Sequence, residues 1–492
     1  MITVSMRALA GSLLATLSLS VAAEPLISHP GDLDPDFGFG GVMITDFVNT
    51  DEVIYSLAPL ANGSFLAAGV VTHANVSAGT SENVAVARFL PNGQLDTTFA
   101  NAGLRHFDVA AGVDGARAMK VLPNGRILVA GSFSPGAYAN FGVLKLLPNG
   151  DFDPDFGDTV NGQFRLGWNM VDIGGVSVHD FGRALAVQPD GRILVAGITP
   201  ISHTNGFRYN HIAVARFLAT GPLDLTFGGN GTGYVVLDTT ASADAAEEIT
   251  SIATNQAGDM AADGRIVLSG YAQSSGTGFV ARLTANGIVD SSFGDAVGGG
   301  GRSGRVALQA SLVSGVYRGL YEIEGACLTG DGKIVVVGTA SDRGFTFIRF
   351  LADGSLDASF GTNGRTTIKF SASTEYDEPA ALALQGNGKL VAAGYAINYA
   401  TGSPRKDFYV ARVLANGQPD TGFGDGQGRS VTQVATGTDE AFAIAVEPSG
   451  NLLVGGYQQR PGAANQQYDF VVLREFGDSD RIFQHGFENV GN

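Results

Sequence analysis

Acidic side chains recur at one position of the chain, shortly before segments that end in tight turns. Asp114, Asp180, Asp377 and Asp439 each stand ten residues ahead of a turn residue such as Asn124. Carboxylates in such a set can bind a hard cation such as Ca²⁺ or hold a polar ligand. They can also cap the backbone of their own turns. Repetition favours capping, because a true site usually breaks the symmetry of a repeat.

Three more positions belong with this set. Asp51 or Glu52 and Asp244 stand at comparable places, and Tyr321 occupies the seventh. We expect a partial ring of carboxylates near one end of the fold, and its candidate binding residues are Asp114, Asp180, Asp244, Asp377 and Asp439. No cofactor is predicted, with Ca²⁺ as the one alternative that the ring leaves open.

Tyrosines are the second group of candidate binding residues. They fall in segments that differ in length and sequence and are otherwise rich in Asn, Gln, Ser and Gly. Tyr with small polar neighbours makes an adaptable contact surface, although the rings can also pack these segments against the fold. The candidates are Tyr138, Tyr209, Tyr271, Tyr395, Tyr399 and Tyr457.

Catalytic signals are poor. His73, His179 and His203 lie in similar segments, but no spacing joins them as metal ligands. The sequence has no Ser–His–Asp order, nucleophile elbow or P-loop. The single cysteine, Cys327, lies in an apolar run and rules out a disulfide within the chain. We therefore predict no catalytic residue, and the sequence leaves any metal site undefined.

A repeat positions these residues. At seven places an Asp is followed three residues later by a Phe, about every 60 to 70 residues, which indicates a repeat architecture. The turns are Asp34/Phe37, Asp96/Phe99, Asp153/Phe156, Asp224/Phe227, Asp290/Phe293, Asp357/Phe360 and Asp420/Phe423. Each unit also holds a Gly hairpin flanked by short runs rich in Val, Ile and Phe, as in 122–131, which is typical of strands.

A cation precedes six of these aspartates by eight residues, which would place the two side chains opposite each other across a hairpin. The cations are Arg88, Lys145, Arg216, Arg282, Arg349, Arg412 and, without a following Asp, Arg474. The first turn, at Asp34, has no cation before it. The chain thus begins with the end of one unit and finishes with its start. This predicts an all-β fold: a seven-bladed β-propeller of four-stranded blades, closed by an N-terminal strand that completes the last blade.

These motifs resemble the Delta-60 repeat family, over residues 31 to about 475. The resemblance implies a β-propeller and no activity that transfers residue by residue. Departures are local: Ala100 stands in place of a Gly and Phe152 in place of a Leu.

Composition and termini complete the prediction. Arg7 followed by the apolar run 8–21 indicates a signal peptide, 1–23, and so an exported protein of the periplasm, cell surface or extracellular space. The propeller would span 24–477 and a tail 478–492. No other run is long enough to cross a membrane. A net charge of −17 argues against nucleic acid as a partner.

The alternation of strand direction predicts the two faces of the propeller. The Gly hairpins and the Asp–Phe turns share one face, here called the turn face. The variable segments, their tyrosines and the carboxylates share the other, the variable face. Because loops on a rigid scaffold carry function, we expect a monomeric, non-catalytic propeller that binds a protein or glycan through the variable face. The alternative is an enzyme centred on the channel, either a lyase or a metal-assisted hydrolase.

Overall fold

Antiparallel sheets make up almost all of the described chain. The computed structural model describes residues 28–46, 51–73, 81–109, 112–160, 163–164, 167–175, 177–203, 205–238, 246–255, 259–272, 276–297, 301–308, 312–313, 316–317, 322–370, 377–398, 405–435, 437–460 and 467–478. Seven four-stranded sheets form the blades of a propeller. The described residues contain one short 3-10 turn, Phe227–Gly229, and no helix long and apolar enough to cross a membrane.

The first strand, β1 (Val42–Thr45), belongs to the last blade. Blade 1 contains β2 (Glu52–Pro59), β3 (Phe65–His73), β4 (Ser81–Phe89) and β5 (Leu104–Phe107). Blade 2 contains β6 (Gly115–Val121), β7 (Ile127–Phe133), β8 (Asn140–Leu146) and, after a small hairpin of β9 (Thr159–Val160) and β10 (Gln163–Phe164), β11 (Trp168–Val171). Blade 3 contains β12 (Phe181–Val187), β13 (Ile193–Ser202), β14 (Arg208–Phe217) and β15 (Tyr234–Leu237).

The remaining blades repeat this order. Blade 4 contains β16 (Glu247–Ile252), β17 (Ile266–Ala272), β18 (Thr277–Leu283) and β19 (Arg305–Leu308). A second hairpin, β20 (Leu312–Val313) and β21 (Val316–Tyr317), precedes blade 5, which contains β22 (Glu322–Leu328), β23 (Ile334–Thr339), β24 (Phe345–Phe350) and β25 (Arg365–Ile368). Blade 6 contains β26 (Asp377–Leu384), β27 (Leu390–Asn398), β28 (Arg405–Val413) and β29 (Arg429–Thr432). Blade 7 contains β30 (Asp439–Val446), β31 (Leu452–Gln459), β32 (Tyr468–Glu475) and β1.

The core lies between blades. Alternate residues of a second strand face opposite neighbours: Leu66 and Ala68 of β3 pack with blade 2, and Ala67 packs with blade 7. The middle strands are therefore buried on both sides, as β24 is at every position. Each fully buried aliphatic side chain contributes roughly 1.5–3 kcal/mol. The inner strands keep the alternation of a surface that is half covered, as in β12.

The ring closes inside blade 7, as predicted. Strand β1 pairs antiparallel with β32, and Val42 lies opposite Leu473. Pairing gives both chain ends the backbone partners that an open sheet edge would lack. The hydrogen bonds between β1 and β32 thus join the first blade-forming residues to the last.

The predicted cation–aspartate pairs are confirmed in all seven blades. The distances are 2.8 Å for Arg88–Asp96, 3.6 Å for Lys145–Asp153, 2.9 Å for Arg216–Asp224, 2.8 Å for Arg282–Asp290, 2.8 Å for Arg349–Asp357, 2.8 Å for Arg412–Asp420 and 2.9 Å for Arg474–Asp34. The Phe of each turn is fully buried. In blade 3, for example, the Arg216 guanidinium lies 4.7 Å from the centre of the Phe227 ring, a cation–π contact.

The turn also joins each blade to the next. The N–H after the turn Phe donates to a carbonyl of the adjacent blade. These bonds run from Gly38 to Asn92, Ala100 to Asn149, Gly157 to Thr220, Gly228 to Asn286, Gly294 to Asp353, Gly361 to Asn416 and Gly424 to Pro30. The Phe99 ring also packs on Gly150 of blade 2, where an added Cβ would lie 2.7 Å from the ring. The repeated motif is therefore a device for holding neighbouring blades together.

Candidate functional site

The inner strands surround a central channel, and each of them contains a β-bulge at the same place. A bulge leaves one residue outside the pairing and turns its side chain away from the normal alternation. The seven unpaired residues all line one cavity of about 700 Å³. They are Tyr55, Arg117, Arg183, Thr250, Glu324, Ala380 and Phe442.

Glutamates dominate one side of this cavity. Glu322 and Glu324 of β22 and Glu378 of β26 line it together with Glu248 of β16. Burial, reinforced by the charge of Glu322, raises the pKa of Glu324 to about 8. At neutral pH the Glu324 carboxyl is therefore mostly protonated and can donate a hydrogen bond.

Glutamate and tyrosine face each other across strands in three blades. The pairs are Glu248 with Tyr271, Glu378 with Tyr395 and Glu440 with Tyr457. The Tyr395 hydroxyl donates to Glu378 Oε2. Burial and the neighbouring glutamates raise the pKa of all three phenols, so they remain protonated donors.

Cations are confined to a few places at the channel. Arg183 Nε lies 3.0 Å from Glu248 Oε1, and the Arg117 guanidinium lies 3.8 Å from the centre of the Tyr55 ring. Lys406 Nζ lies 2.8 Å from Glu440 Oε1, and neither of these two residues is part of the cavity lining. The arginines come from blades 2 and 3, whereas the glutamate-rich wall comes from blades 4 to 6. The arginines and the glutamates of the lining thus come from different parts of the ring and meet where Arg183 pairs with Glu248.

Aromatic rings form a further part of the wall. The Tyr55 and Phe442 rings have centroids 5.6 Å apart, and Phe442 lies 5.6 Å from Tyr457. Tyr457, which is not part of the lining, in turn contacts Tyr468 at a centroid distance of 4.4 Å. Such surfaces pack against the apolar faces of flat or ring-shaped ligands.

The predicted acidic ring lies beside the channel and does not line it. Asp114, Asp180, Asp377 and Asp439 are buried and each accept backbone N–H groups of the preceding connection, for example from Ile173 to Asp180 at 2.7 Å. These contacts are those of the capping role. Binding of Ca²⁺ by these carboxylates stays a prediction.

The strand register identifies the remaining members of the ring. Glu52 and Glu247 stand two residues before the last paired residue ahead of the bulge, as Asp114 does in blade 2. Glu247 therefore occupies the place expected for Asp244. Asp244 and Tyr321 lie outside the described residues.

The predicted tyrosines divide into two groups. Tyr271, Tyr395 and Tyr457 lie within the second strands β17, β27 and β31, each opposite a glutamate of the inner strand, and not in loops. Tyr138 is 41% exposed, and its ring lies 5.2 Å from that of His179. Tyr209 lies in β14, and Tyr399 falls outside the described residues.

One predicted histidine meets a partner that the sequence did not indicate. His203 Nε2 lies 2.6 Å from Nε2 of His211, and their rings stack. Burial lowers the pKa of His211 and favours its neutral form. His179 packs between aromatic rings, and the side chain of His73 lies outside the described residues.

Sequence reasoning missed the channel residues, although a signal was present. The unpaired residue follows each ring carboxylate by three positions, and its type changes from blade to blade within a strand that otherwise repeats. Arg117, Glu324 and Phe442 are examples. A variable position inside a repeated strand indicates a side chain that serves something other than the fold.

Six segments match the family described as "Domain of unknown function (DUF5122) beta-propeller": residues 60–99, 122–156, 188–227, 261–293, 329–360 and 385–423. This match supports membership of a β-propeller repeat family and does not carry the Delta-60 name. Among curated proteins, none matches this sequence.

Solved structures with a similar outline serve different purposes. Sqt1 from Chaetomium thermophilum, bound to the N-terminus of the ribosomal protein L10, is 11% identical, with 89% of this chain and 99% of that chain covered and a TM-score of 0.42. The intramolecular trans-sialidase from Ruminococcus gnavus is 10% identical, with 87% and 95% covered and a TM-score of 0.39. The polysaccharide lyase Uly1 is 10% identical, with 91% and 90% covered and a TM-score of 0.42. Likeness at this level transfers neither an activity nor a partner.

Proposed function

We propose that this protein is an exported, monomeric, non-catalytic propeller that binds a glycan at the variable-face end of its central channel. The observation that carries the proposal is the convergence of two Glu–Tyr pairs, Glu248 with Tyr271 and Glu378 with Tyr395, on one cavity of about 700 Å³. A volume in this range is typical of sites that take small molecules or the end of a chain. The sequence predicts binding through the whole variable face, and the proposal places the binding site at the centre of that face, where the channel opens.

The chemistry of the lining suits sugar hydroxyls. Carboxylates such as Glu378 accept hydrogen bonds from hydroxyl and ammonium groups, and the protonated Glu324 can donate one. The rings of Tyr55 and Phe442 offer apolar faces for the C–H side of a sugar ring. The glutamate-rich wall would repel uronic acids, so the glycan is neutral or carries amino groups.

A binding screen tests the proposal. Neutral, amino-bearing and uronic-acid-bearing oligosaccharides are titrated against the purified protein by calorimetry. We expect saturable binding of the first two classes. Glu378→Gln and Tyr395→Phe should weaken binding at least about tenfold, since both change the channel pair. The matched control is Tyr138→Phe, which alters an exposed tyrosine outside the channel lining and should leave the affinity unchanged.

Four results would each contradict a part of the proposal. Affinity that survives both channel variants would place the site elsewhere, and loss of binding in Tyr138 or Tyr209 variants would move it to the outer part of the variable face. Binding of a protein with no oligosaccharide bound would refute the ligand class. Export rests on the segment 1–23, and recovery of the full-length, uncleaved chain from the cytoplasm of its own cells would refute that part.

A second candidate function is an enzyme centred on the channel, and one observation favours it. Glu324 has a raised pKa, and Glu378, which accepts the Tyr395 hydroxyl, is a second carboxyl that lines the same cavity. Such a pair can serve as general acid and general base in glycan cleavage. Product analysis after incubation with the bound oligosaccharide separates the functions. An enzyme would release shorter products, and Glu324→Gln would abolish release and retain binding.

A further inference from the structure

A second cluster of ligating side chains lies at the junction of blades 3 and 4, away from the channel lining. His211 belongs to β14, Asp238 follows β15, and Glu247 begins β16. One nitrogen or oxygen atom from each of these three side chains lies within 4.8 Å of the others. His211 and Glu247 are buried, and Asp238 is exposed. We infer that these three side chains bind a divalent transition-metal ion, with Zn²⁺ as the test case.

The distances fit an ion after a small movement. His211 Nδ1 lies 3.7 Å from Glu247 Oε2. Zinc bonds of about 2.0–2.2 Å place the ligand atoms of a tetrahedral ion about 3.3 Å apart. Since Asp238 is exposed, its side chain can turn toward the ion, and solvent can deliver the ion from that side.

His203 has a different part in this arrangement. Its Nε2 lies 2.6 Å from His211 Nε2, which is too short for an ion to sit between the two atoms, because nitrogens bound to one ion lie about 3 Å or more apart. With the ion on Nδ1, the Nε2–H of His211 donates to His203. His203 is therefore a positioning residue, which fixes the tautomer and ring orientation of the ligand.

The cluster breaks the symmetry of the repeat. Glu247 stands at the ring position, where Asp114 and Asp180 accept backbone N–H groups and Asp180 also accepts the Thr199 hydroxyl. His211 stands at a third-strand position that other blades fill with different residues. By register these are Asn83, Asn140, Thr277, Asp407 and Asp469. An imidazole meets the ring carboxylate at this junction and at no other junction in those blades.

The donor set selects the class of metal. One imidazole and two carboxylates favour Zn²⁺, Mn²⁺ or Fe²⁺ over Ca²⁺ and Mg²⁺, which prefer oxygen alone. The cysteine, Cys327, lies in β22 of blade 5 and supplies no thiolate here. Three protein ligands leave at least one coordination position for water.

Calorimetry on untagged, chelator-treated protein tests the site. Titration with ZnCl₂ should show one saturable site, whereas MgCl₂ and CaCl₂ should show none at the same concentrations. Because the ion joins blades 3 and 4, saturating Zn²⁺ should also raise the melting temperature by several degrees. Absence of saturable Zn²⁺ binding up to 1 mM, about the weakest affinity a built site would have, would overturn the inference.

Variants locate the ion. Asp238→Asn changes an exposed side chain, so the protein should fold, and it should weaken Zn²⁺ binding at least about tenfold. Asp36→Asn, at another exposed aspartate, and His106→Asn, at an exposed histidine of β5, are the matched controls and should bind as the parent does. Equal affinity in Asp238→Asn and the controls would refute the site.

The positioning role has its own readout. His203→Gln should lower Zn²⁺ affinity about 10–100-fold, the range for residues that orient a ligand, and should shift the pH at which binding is half lost. If affinity and pH profile match the parent protein, His203 takes no part in the site.

Discussion

Arg474 Nη2 lies 2.9 Å from Asp34 Oδ2, although the two residues stand 440 positions apart in the chain. The contact completes in space a turn that the sequence divides between its two ends. It is the same pair that Arg88 and Asp96 make within one hairpin. The Arg474–Asp34 ion pair therefore holds the two ends of the ring together, as the other six pairs hold the strand and the turn of a single blade together.

Arg474→Met should destabilise the protein by about 3–5 kcal/mol, because Asp34 would stay buried without its cation. Lys145→Met is the matched change in blade 2. It should cost much less, since Arg126 also contacts Asp153 at 2.8 Å. Urea unfolding of both variants measures the difference. Equal losses would mean that the Asp34 carboxylate finds another partner.

Deletion of residues 24–48 should destabilise the ring more than any single substitution at the closure. It removes β1 and leaves β32 as an exposed edge. We expect a lower melting temperature and rapid proteolysis within blade 7. Deletion of 479–492, in the predicted tail, serves as the control. Similar protease resistance in both truncated proteins would contradict the role of β1.

Gly150→Ala should destabilise more than Gly206→Ala. Both glycines have positive φ, 90° and 83°, so the backbone strain is alike. An added Cβ at Gly150 would lie 2.7 Å from the Phe99 ring, whereas at Gly206 it would meet nothing within 4 Å. Overpacking should add about 1–3 kcal/mol at Gly150. Matching losses in chemical unfolding would show that the blade contact is loose.

Stability should fall as pH rises from about 5 to 8. Burial raises the pKa of Glu475 to about 8, against the opposing hydrogen bond from Ser430. At a pH between the ordinary pKa of a Glu carboxyl and about 8, Glu475 has lost its proton in the unfolded chain and keeps it in the folded protein. The free energy of unfolding therefore decreases with pH, by roughly 1.4 kcal/mol per unit for this group.

Glu475→Gln should flatten this slope, so the variant should gain stability over the parent at pH 8 and match it near pH 4.

At acid pH the stability should change with pH in the opposite direction. Burial acts to raise the pKa of Asp357, but hydrogen bonds, chiefly from Ser359, and Lys333 lower it to about 2. Stability that this carboxylate contributes is lost as pH falls from about 4 to 2. Melting temperatures measured from pH 2 to pH 8 check both the acid and the neutral part of this pH dependence.

Spacing made the closure and the turn predictable from sequence. Arg88 and Asp96 lie symmetrically about Asn92, so any hairpin there brings them together. The channel could not be predicted in the same way. A β-bulge adds one residue to each inner strand and reverses its alternation, and the sequence of one strand alone does not mark the added residue, which stands out only when the units are compared. Arg117 and Glu324 therefore read as ordinary strand positions.

The histidine pair shows a second limit. His203 meets His211 because β13 and β14 run on for ten residues each and close in a turn that returns the chain over itself. The length of a hairpin is set by packing against neighbouring blades as much as by its own residues. The candidate metal site depends further on Glu247, which comes from the next blade.

The placement of charged residues in the channel limits the number of orientations in which a ligand can bind there. Seven blades related by rotation would offer seven equivalent poses, each one-seventh occupied. The lining lacks that symmetry, because its arginines, Arg117 and Arg183, come from blades 2 and 3 and its glutamates from blades 4 to 6. We therefore expect a ligand with a cationic end to take one orientation about the channel axis, and the channel to hold one ligand at a time. The repeated residues thus build the propeller, and the residues that differ between blades determine how a ligand is oriented in it.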